Sequence, residues 1–256
     1  LFVSLATEKS FAPLAKKYYI CKSYIHMYTV ATLTTKRTIA NTMAHRSGFV
    51  NIIGNPNVGK STLMNQLVGE RLSIITSKAQ TTRHRIMGMV NGDDFQIVYS
   101  DTPGILKPNY KLQEKMMKFV RGAITDADVL LYVTDTVEET SRSEDIIEKV
   151  RLSGIPTIVV INKVDLTTPA KLEELVTKWQ ERLPDAIIAP CSAKERFNIE
   201  GIFDLILERL PEGEPFYPKD TLTDKTLRFF ASEIIREKIL LNYDKEIPYS
   251  CEIAIE

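Results

Sequence analysis

The stretch "GNPNVGKST", Gly54 to Thr62, follows directly on the apolar run Phe49-Val50-Asn51-Ile52-Ile53. Gly54 and Gly59 bracket four residues, and Lys60-Ser61 complete the pattern G-x-x-x-x-G-K-[ST] between a strand and a helix. In such a loop the backbone N–H groups of Asn55, Pro56's neighbours, Asn57, Val58 and Gly59 line a concave anion site at a helix N-terminus. Lys60 is expected to reach the β- and γ-phosphates of a nucleotide, and the Ser61 hydroxyl to ligate Mg²⁺. Working outward from this loop, apolar strand candidates at 48–53, 86–91, 95–100, 128–134, 156–161 and 186–190 alternate with helix candidates at 60–69, 111–123, 142–152, 170–182 and 198–210. Runs such as "DVLLYVT" and "PTIVVIN" are apolar throughout, as strands covered by helices on both faces must be. Asn91-Gly92 marks a hairpin between the second and third strands, which predicts one antiparallel edge on a mostly parallel α/β sheet.

Bulk properties fit that class. The chain has 256 residues, 44% of them hydrophobic and 26% charged, and no apolar run approaches the roughly 18 residues of a membrane span. Cys21, Cys191 and Cys251 are isolated, as are His26, His45 and His84, so neither a disulfide framework nor a zinc site is indicated and a reducing compartment is implied. The net charge of zero hides an asymmetry: residues 1–42 carry six cations against the single acid Glu8, net +5, which leaves −5 on the remainder. That acidic body is a poor nucleic-acid surface by itself. Residues 1–42 also lack glycine and hold four Tyr and seven Thr. They read either as a transit peptide, though one Arg against five Lys is unusual for one, or as upstream sequence before a start at Met43; the composition favours the second.

Asn162-Lys163-Val164-Asp165 follows the strand at 156–161. A carboxylate there can accept hydrogen bonds from the N1–H and exocyclic amine of guanine, whereas adenine would leave Asp165 unpaired. Lys163 would lie along the base, and Ser192-Ala193-Lys194 after the next strand would offer backbone donors to the guanine oxygen. The expected nucleotide is therefore guanine, which disfavours a P-loop kinase of a small molecule. Asp101-Thr102-Pro103-Gly104 ends the third strand; Asp101 can hold Mg²⁺ through water, and the Gly104 amide can contact the γ-phosphate. Between these blocks Gln80-Thr81-Thr82-Arg83-His84 offers two threonines to close over the metal, of which Thr82 is the choice. Lys60, Thr82 and Gly104 are thus the candidate catalytic residues, and the two loops form an order–disorder switch governed by γ-phosphate and Mg²⁺.

The five blocks "GNPNVGKS", "QTTRH", "DTPG", "NKVD" and "SAK" resemble the translation-factor-like GTPases, and "ERLSIITSKAQTTRHRIMG", "SDTPGILKP" and "TDKTLRFFASEIIREKILLNYDKEIPYS" resemble the Era family within them. The resemblance covers residues 46–256. It implies a P-loop G domain over 46–210, a linker at 211–220 where three prolines and a glycine interrupt helix, and the start of an α+β KH domain over 221–256, incomplete after one helix and one strand. It also implies GTP hydrolysis, GTP and GDP as ligands, and binding of small-subunit ribosomal RNA and the 30S particle during ribosome assembly. A monomer is implied, cytoplasmic with peripheral association at the membrane, or organellar if residues 1–42 are a transit peptide. An RNA-binding assembly module that uses its nucleotide mainly as a conformational label is the alternative. No glycine follows Gly213, so the G-x-x-G loop with which KH domains clamp RNA is not in this sequence. The helix expected at 222–240 interleaves Lys225, Arg228, Arg236 and Lys238 with Asp224, Glu233 and Glu237, which reads as a solvated face; its apolar side is Leu227, Phe230, Ala231, Ile234 and Ile235. "YSCEIAIE" after Pro248 alternates as a half-buried strand would. Ile105 stands where Ras-type enzymes carry the glutamine that orients the attacking water, and Asn57 resembles the asparagine that in related GTPases helps bind K⁺ beside the phosphates.

Overall fold

The structure, a computed structural model, describes residues 44–137, 144–244, 249 and 251–255; residues 1–42, read above as a leader or as upstream sequence, lie outside them. Six strands form one sheet: β1 (Arg46–Gly54), β2 (Ile86–Asn91), β3 (Phe95–Asp101), β4 (Val129–Asp135), β5 (Thr157–Asn162) and β6 (Ile187–Pro190). Their order is β2-β3-β1-β4-β5-β6, with β2 antiparallel to β3 and every other pairing parallel. The helices are α1 (Lys60–Val68), α2 (Lys111–Thr125), α3 (Glu144–Ser153), α4 (Pro169–Arg182), α5 (Ile199–Leu207) and α6 (Leu227–Asn242). Each expected strand and helix of the first 210 residues is present within a few residues of its expected bounds, and the first two positions expected of α3 fall outside the described residues.

Alternation along the strands builds two cores. Val50 and Ile52 of β1, Leu131 and Val133 of β4 and Ile158 and Val160 of β5 face α1 and α5, where Leu63, Met64, Ile202 and Ile206 close the layer. Ile53, Leu130, Tyr132, Val159 and Ile161 face the opposite way, against Met117 and Val120 of α2, Ile146 and Val150 of α3, and Val176 and Trp179 of α4. Burying a side chain of this size stabilises the fold by about 1.5–3 kcal/mol, so the sheet is a stiff platform. Local signals agree with this layout: Gly69, in the left-handed region at φ 83°, ends α1, and Thr168 caps α4 ahead of Pro169 at its first turn. The loops after β1, β3, β4, β5 and β6 therefore converge at one end of the sheet, where open α/β folds bind ligands.

The proline-rich segment 211–220, expected as a linker, is hydrogen-bonded along the domain. Ser47 N–H donates to Pro211 O at 3.1 Å, Gln96 and Tyr217 exchange two hydrogen bonds of 2.8 and 2.9 Å, and Lys219 Nζ donates to the carbonyls of Gly92 and Asp93. The next residues continue along the free edge of β2: Met89 N–H donates to Leu222 O at 2.8 Å, the Thr223 hydroxyl donates to Met87 O at 2.7 Å, and the Asp224 carboxylate accepts from Met87 N–H at 3.0 Å. The prolines stop the helix, but the unpaired groups of an edge strand supply the partners that hold the segment as a strap.

Among the described residues after Pro248, where a strand is expected, Tyr249 and residues 251–255 pair with no strand of the sheet. The carbonyls of Tyr249 and Cys251 instead accept hydrogen bonds from the Arg83 guanidinium at 3.1 and 3.0 Å.

Candidate nucleotide site

The loop from Gly54 to Thr62 leaves β1 and enters α1 without a side-chain cap, so the first N–H groups of α1 face the loop's concavity. Gly59 has φ 95°, and a Cβ there would lie 2.2 Å from the Asn162 amide, so both its backbone and its neighbour require glycine. Lys60 is buried and its Nζ donates to Asn55 O at 2.7 Å, spanning the loop. Val58 is buried, Pro56 and Thr62 are half-buried, and Asn57 is exposed with a left-handed φ of 64°.

Three oxygens meet beside the loop. Ser61 Oγ donates to Asp101 Oδ2 at 2.7 Å and lies 3.0 Å from Thr82 Oγ1, which is itself 3.4 Å from Asp101 Oδ2. Asp101 is fully buried, and burial pushes its carboxyl above the usual range despite the hydrogen bonds from Ser61 and Thr82 and the charge of Lys60. Its Oδ1 is buried without a hydrogen-bond partner, an arrangement that costs about 1–3 kcal/mol or more in a protein interior. A hard divalent cation taking oxygen ligands would satisfy that atom and offset the buried charge, so Ser61, Thr82 and Asp101 fit Mg²⁺. Thr81 turns the other way: its hydroxyl donates to Lys78 O at 2.6 Å and lies 2.7 Å from that of Thr76.

The loop after β3 is drawn against the phosphate loop. Thr102 Oγ1 donates to Ile52 O at 2.7 Å, and Ile105 N–H donates to Gly54 O at 3.0 Å. Pro103 lies between these two anchors, and a Cβ on Gly104 would stand 2.8 to 2.9 Å from Pro56, so only glycine permits this approach. The Ile105 side chain is buried in the core with Ile53 and Met117, directed away from the site.

At the other end Asn162 is a brace. Its buried amide donates to Val58 O at 2.8 Å and its oxygen accepts from Ala193 N–H at 2.9 Å, tying the phosphate loop to the loop after β6. Lys163 Nζ donates to Asn57 O at 2.6 Å and to the Asp135 carboxylate at 2.5 Å. Asp165 is half-buried in a single 3₁₀ turn, Val164–Leu166, whose first N–H donates to Cys191 O. Ser192 and Ala193 are buried beside it, whereas Lys194 is exposed.

The loop from Arg71 to Arg85 is held from outside by α6. The Glu233–Arg236 ion pair at 2.5 Å is buried, and Arg236 donates to the carbonyl oxygens of Thr81 at 2.5 Å and Gln80 at 3.5 Å. Glu237 accepts from Ile75 N–H at 3.1 Å and from Arg71 at 2.5 Å, and His84 meets the Phe229 ring edge-on at 5.9 Å between centroids. Burial and the neighbouring Arg236 charge pull the Arg83 guanidinium below its ordinary pKa. Of the face of α6 expected to be solvated, Glu233, Arg236 and Glu237 are buried while Arg228 and Lys238 are exposed; of the expected apolar side, Phe230 packs against the core while Ile234, Ile235 and Leu227 are exposed, Leu227 by 87%. The carbonyls of the loop before β2 give the charged side chains partners that helical periodicity alone does not predict. Asp135 was not foreseen, since it lies outside any motif, and Glu233, Arg236 and Glu237 were read only as a solvated face.

A family model described as "50S ribosome-binding GTPase" matches residues 49–163. The GTPase ERA1, chloroplastic, of Zea mays is 43% identical over 215 residues, covering 82% of this chain and 52% of its own length. The GTPase ERA-like, chloroplastic, of Arabidopsis thaliana is 41% identical over 217 residues, covering 82% and 50%. The chain spans about half the length of these curated relatives. Among solved structures, Era in complex with MgGDPNP and nucleotides 1506–1542 of 16S ribosomal RNA superposes with a TM-score of 0.77 and 39% identity, over 80% of this chain and 70% of that one. An Aquifex aeolicus Era variant bound to GDP·AlF4⁻ gives a TM-score of 0.76 and 38% identity over the same shares. With the parallel sheet, its one antiparallel edge and the G-x-x-x-x-G-K-S and N-K-x-D loops at its carboxyl end, these likenesses show that the chain belongs to the Era family of GTPases.

Proposed function

We propose that the chain binds GTP with Mg²⁺, hydrolyses it slowly to GDP and phosphate, and serves as the switch of a factor that assists small ribosomal subunit assembly through its ribosomal RNA. The observation that carries this reading is the meeting of Ser61, Thr82 and Asp101 within 3.4 Å, because each comes from a different segment: the first turn of α1, the loop before β2 and the end of β3. Bound Mg²⁺ would neutralise charge on the β- and γ-phosphates. Around it, Lys60 and the N–H groups of Gly59 to Ser61 bind the phosphates, Thr82 makes closure of its loop depend on the metal, and the Gly104 amide faces the γ-phosphate. Ile105 points into the core and cannot orient water, so the attacking water relies on backbone groups and on charge supplied beside Asn57, for which K⁺ is our candidate. The Asp165 carboxylate reads guanine, with Lys163 along the base and the loop of Ser192, Ala193 and Lys194 over its oxygen.

Support for ribosomal RNA as partner comes from the matched Era structure, which holds a 16S fragment. The Zea mays and Arabidopsis relatives are named chloroplastic, which favours the organellar alternative for residence over the cytoplasmic one. No helix among the described residues is long and apolar enough to cross a membrane.

The base assignment is tested with Asp165→Asn by isothermal titration. The expected outcome is a loss of GTP affinity on the order of 10²- to 10⁴-fold, with xanthosine triphosphate gaining instead, since its base offers an acceptor where guanine has a donor. Unchanged GTP affinity would show that the base sits elsewhere. Turnover is tested by following phosphate release with and without a 16S-type 3′ fragment; nucleotide-dependent RNA affinity without any turnover would leave the nucleotide as a conformational label only.

A further inference from the structure

Lys163 sits in the left-handed region at φ 61°, an uncommon place for a side chain with a Cβ. Asp135, the last residue of β4, and Thr136 just after it hold the lysine there. Asp135 stands in register beside Asn162, and its carboxylate oxygen Oδ2 accepts from Lys163 Nζ at 2.5 Å. The other oxygen, Oδ1, accepts from Val137 N–H at 3.0 Å, so the carboxylate is locked to its own backbone before it meets the lysine. Thr136 Oγ1 donates to Lys163 O at 3.3 Å, fixing the backbone of the same residue. The Asp135 side chain is nearly buried and that of Lys163 is one-third exposed, so the ammonium end is anchored inward and the stem is laid across the mouth of the site. Nζ also reaches Asn57 O at 2.6 Å, which links β4 to the phosphate loop through one ammonium.

We propose that Asp135, supported by Thr136, is a positioning residue for guanine nucleotide: it stretches Lys163 between β4 and the phosphate loop so that the lysine stem forms a wall of the base pocket. The proposal rests on the reading of the site as a guanine nucleotide site. It assigns Asp135 a second effect. With the Lys163 charge compensated by Asp135, the net positive field at the phosphates comes chiefly from Lys60 and the α1 N-terminus.

The test measures dissociation of mant-GDP, in Mg²⁺, from the unmutated chain and from Asp135→Ala, Asp135→Asn, Lys163→Ala and Asp135→Ala/Lys163→Ala. Loss of a charge-assisted hydrogen bond is expected to speed dissociation from Asp135→Ala about 10- to 100-fold. Asp135→Asn keeps the shape and a neutral acceptor, so about 3- to 10-fold is expected, and this variant decides the matter if the alanine variant fails to fold. In GTP turnover the loss should fall on KM more than on kcat. The double variant should release mant-GDP no faster than Lys163→Ala, because both replacements remove one interaction. Dissociation from a folded Asp135→Asn within twofold of the unmutated rate, or additive effects in the double variant, would overturn the proposal. No mant-GDP binding by the unmutated chain would overturn the nucleotide reading and this proposal together, which sets that failure apart.

Discussion

Helix α5 turns Ile202 and Ile206 into the core and leaves Glu200 exposed, whereas α6 turns the charged Glu233, Arg236 and Glu237 inward beside Leu240, Phe229 and Phe230 and leaves Ile234 and Ile235 exposed. Both helices pack on the same domain, but with different kinds of contact. Apolar burial on α5 has no preferred partner and cannot be exchanged for water without loss. The charged groups of α6 can be rehydrated when the contact opens, so the net cost of opening is the small difference between two solvated or paired states. The α5 contact therefore suits a permanent wall and the α6 contact suits a detachable one, resting on the loop that carries Thr82.

That contrast can be broken in three places. Ile202→Ala should lower global stability by about 2–5 kcal/mol, read by chemical denaturation in GDP, because it empties a fully buried site between α5 and the sheet. A loss below about 1 kcal/mol would mean the wall is softer than its burial indicates. Arg236→Ala should leave the global transition nearly in place and act locally, raising amide hydrogen exchange at residues 75–82 by an amount equivalent to about 1–3 kcal/mol. A matching drop in global stability would show that α6 is part of the cooperative unit. Thr226→Ala removes the side-chain acceptor for Phe229 N–H at the start of α6 and should cost about 1 kcal/mol, confined to the exchange of amides 227–231. Spread of that effect into the switch loop would make helix formation and docking a single event.

The sheet, its antiparallel edge and the position of the loops at its carboxyl end were legible because local signals decided them. Asn91-Gly92 fixes the hairpin, and the apolar runs of β4 and β5 fit a doubly covered sheet. Thr82 could be preferred to Thr81, but nothing in the residues themselves shows that Thr81 is held by Thr76 and Lys78. What escaped the sequence depends on distant partners. Arg236 and Gln80 are 156 positions apart, and Asp135 meets Lys163 only because two parallel strands end in register. The segment at 211–220 has the composition of a tether, yet the hydrogen-bonding edge that orders it belongs to strands more than a hundred residues earlier. Amphipathic periodicity identified two faces of α6, not which would meet the domain first.

The strap along β2 has a consequence for how often α6 and the switch loop meet. Asp224 is pinned to Met87, and only Lys225 and Thr226 separate it from Leu227, where the helix begins. A helix released from Thr81 therefore stays on a leash of two residues, and its return is a first-order event at an effective concentration in the millimolar range. A contact that would have a millimolar dissociation constant between separate molecules is closed about half the time at such a concentration. One hydrogen bond gained or lost at the switch loop, worth about 1 kcal/mol, then shifts that balance several-fold.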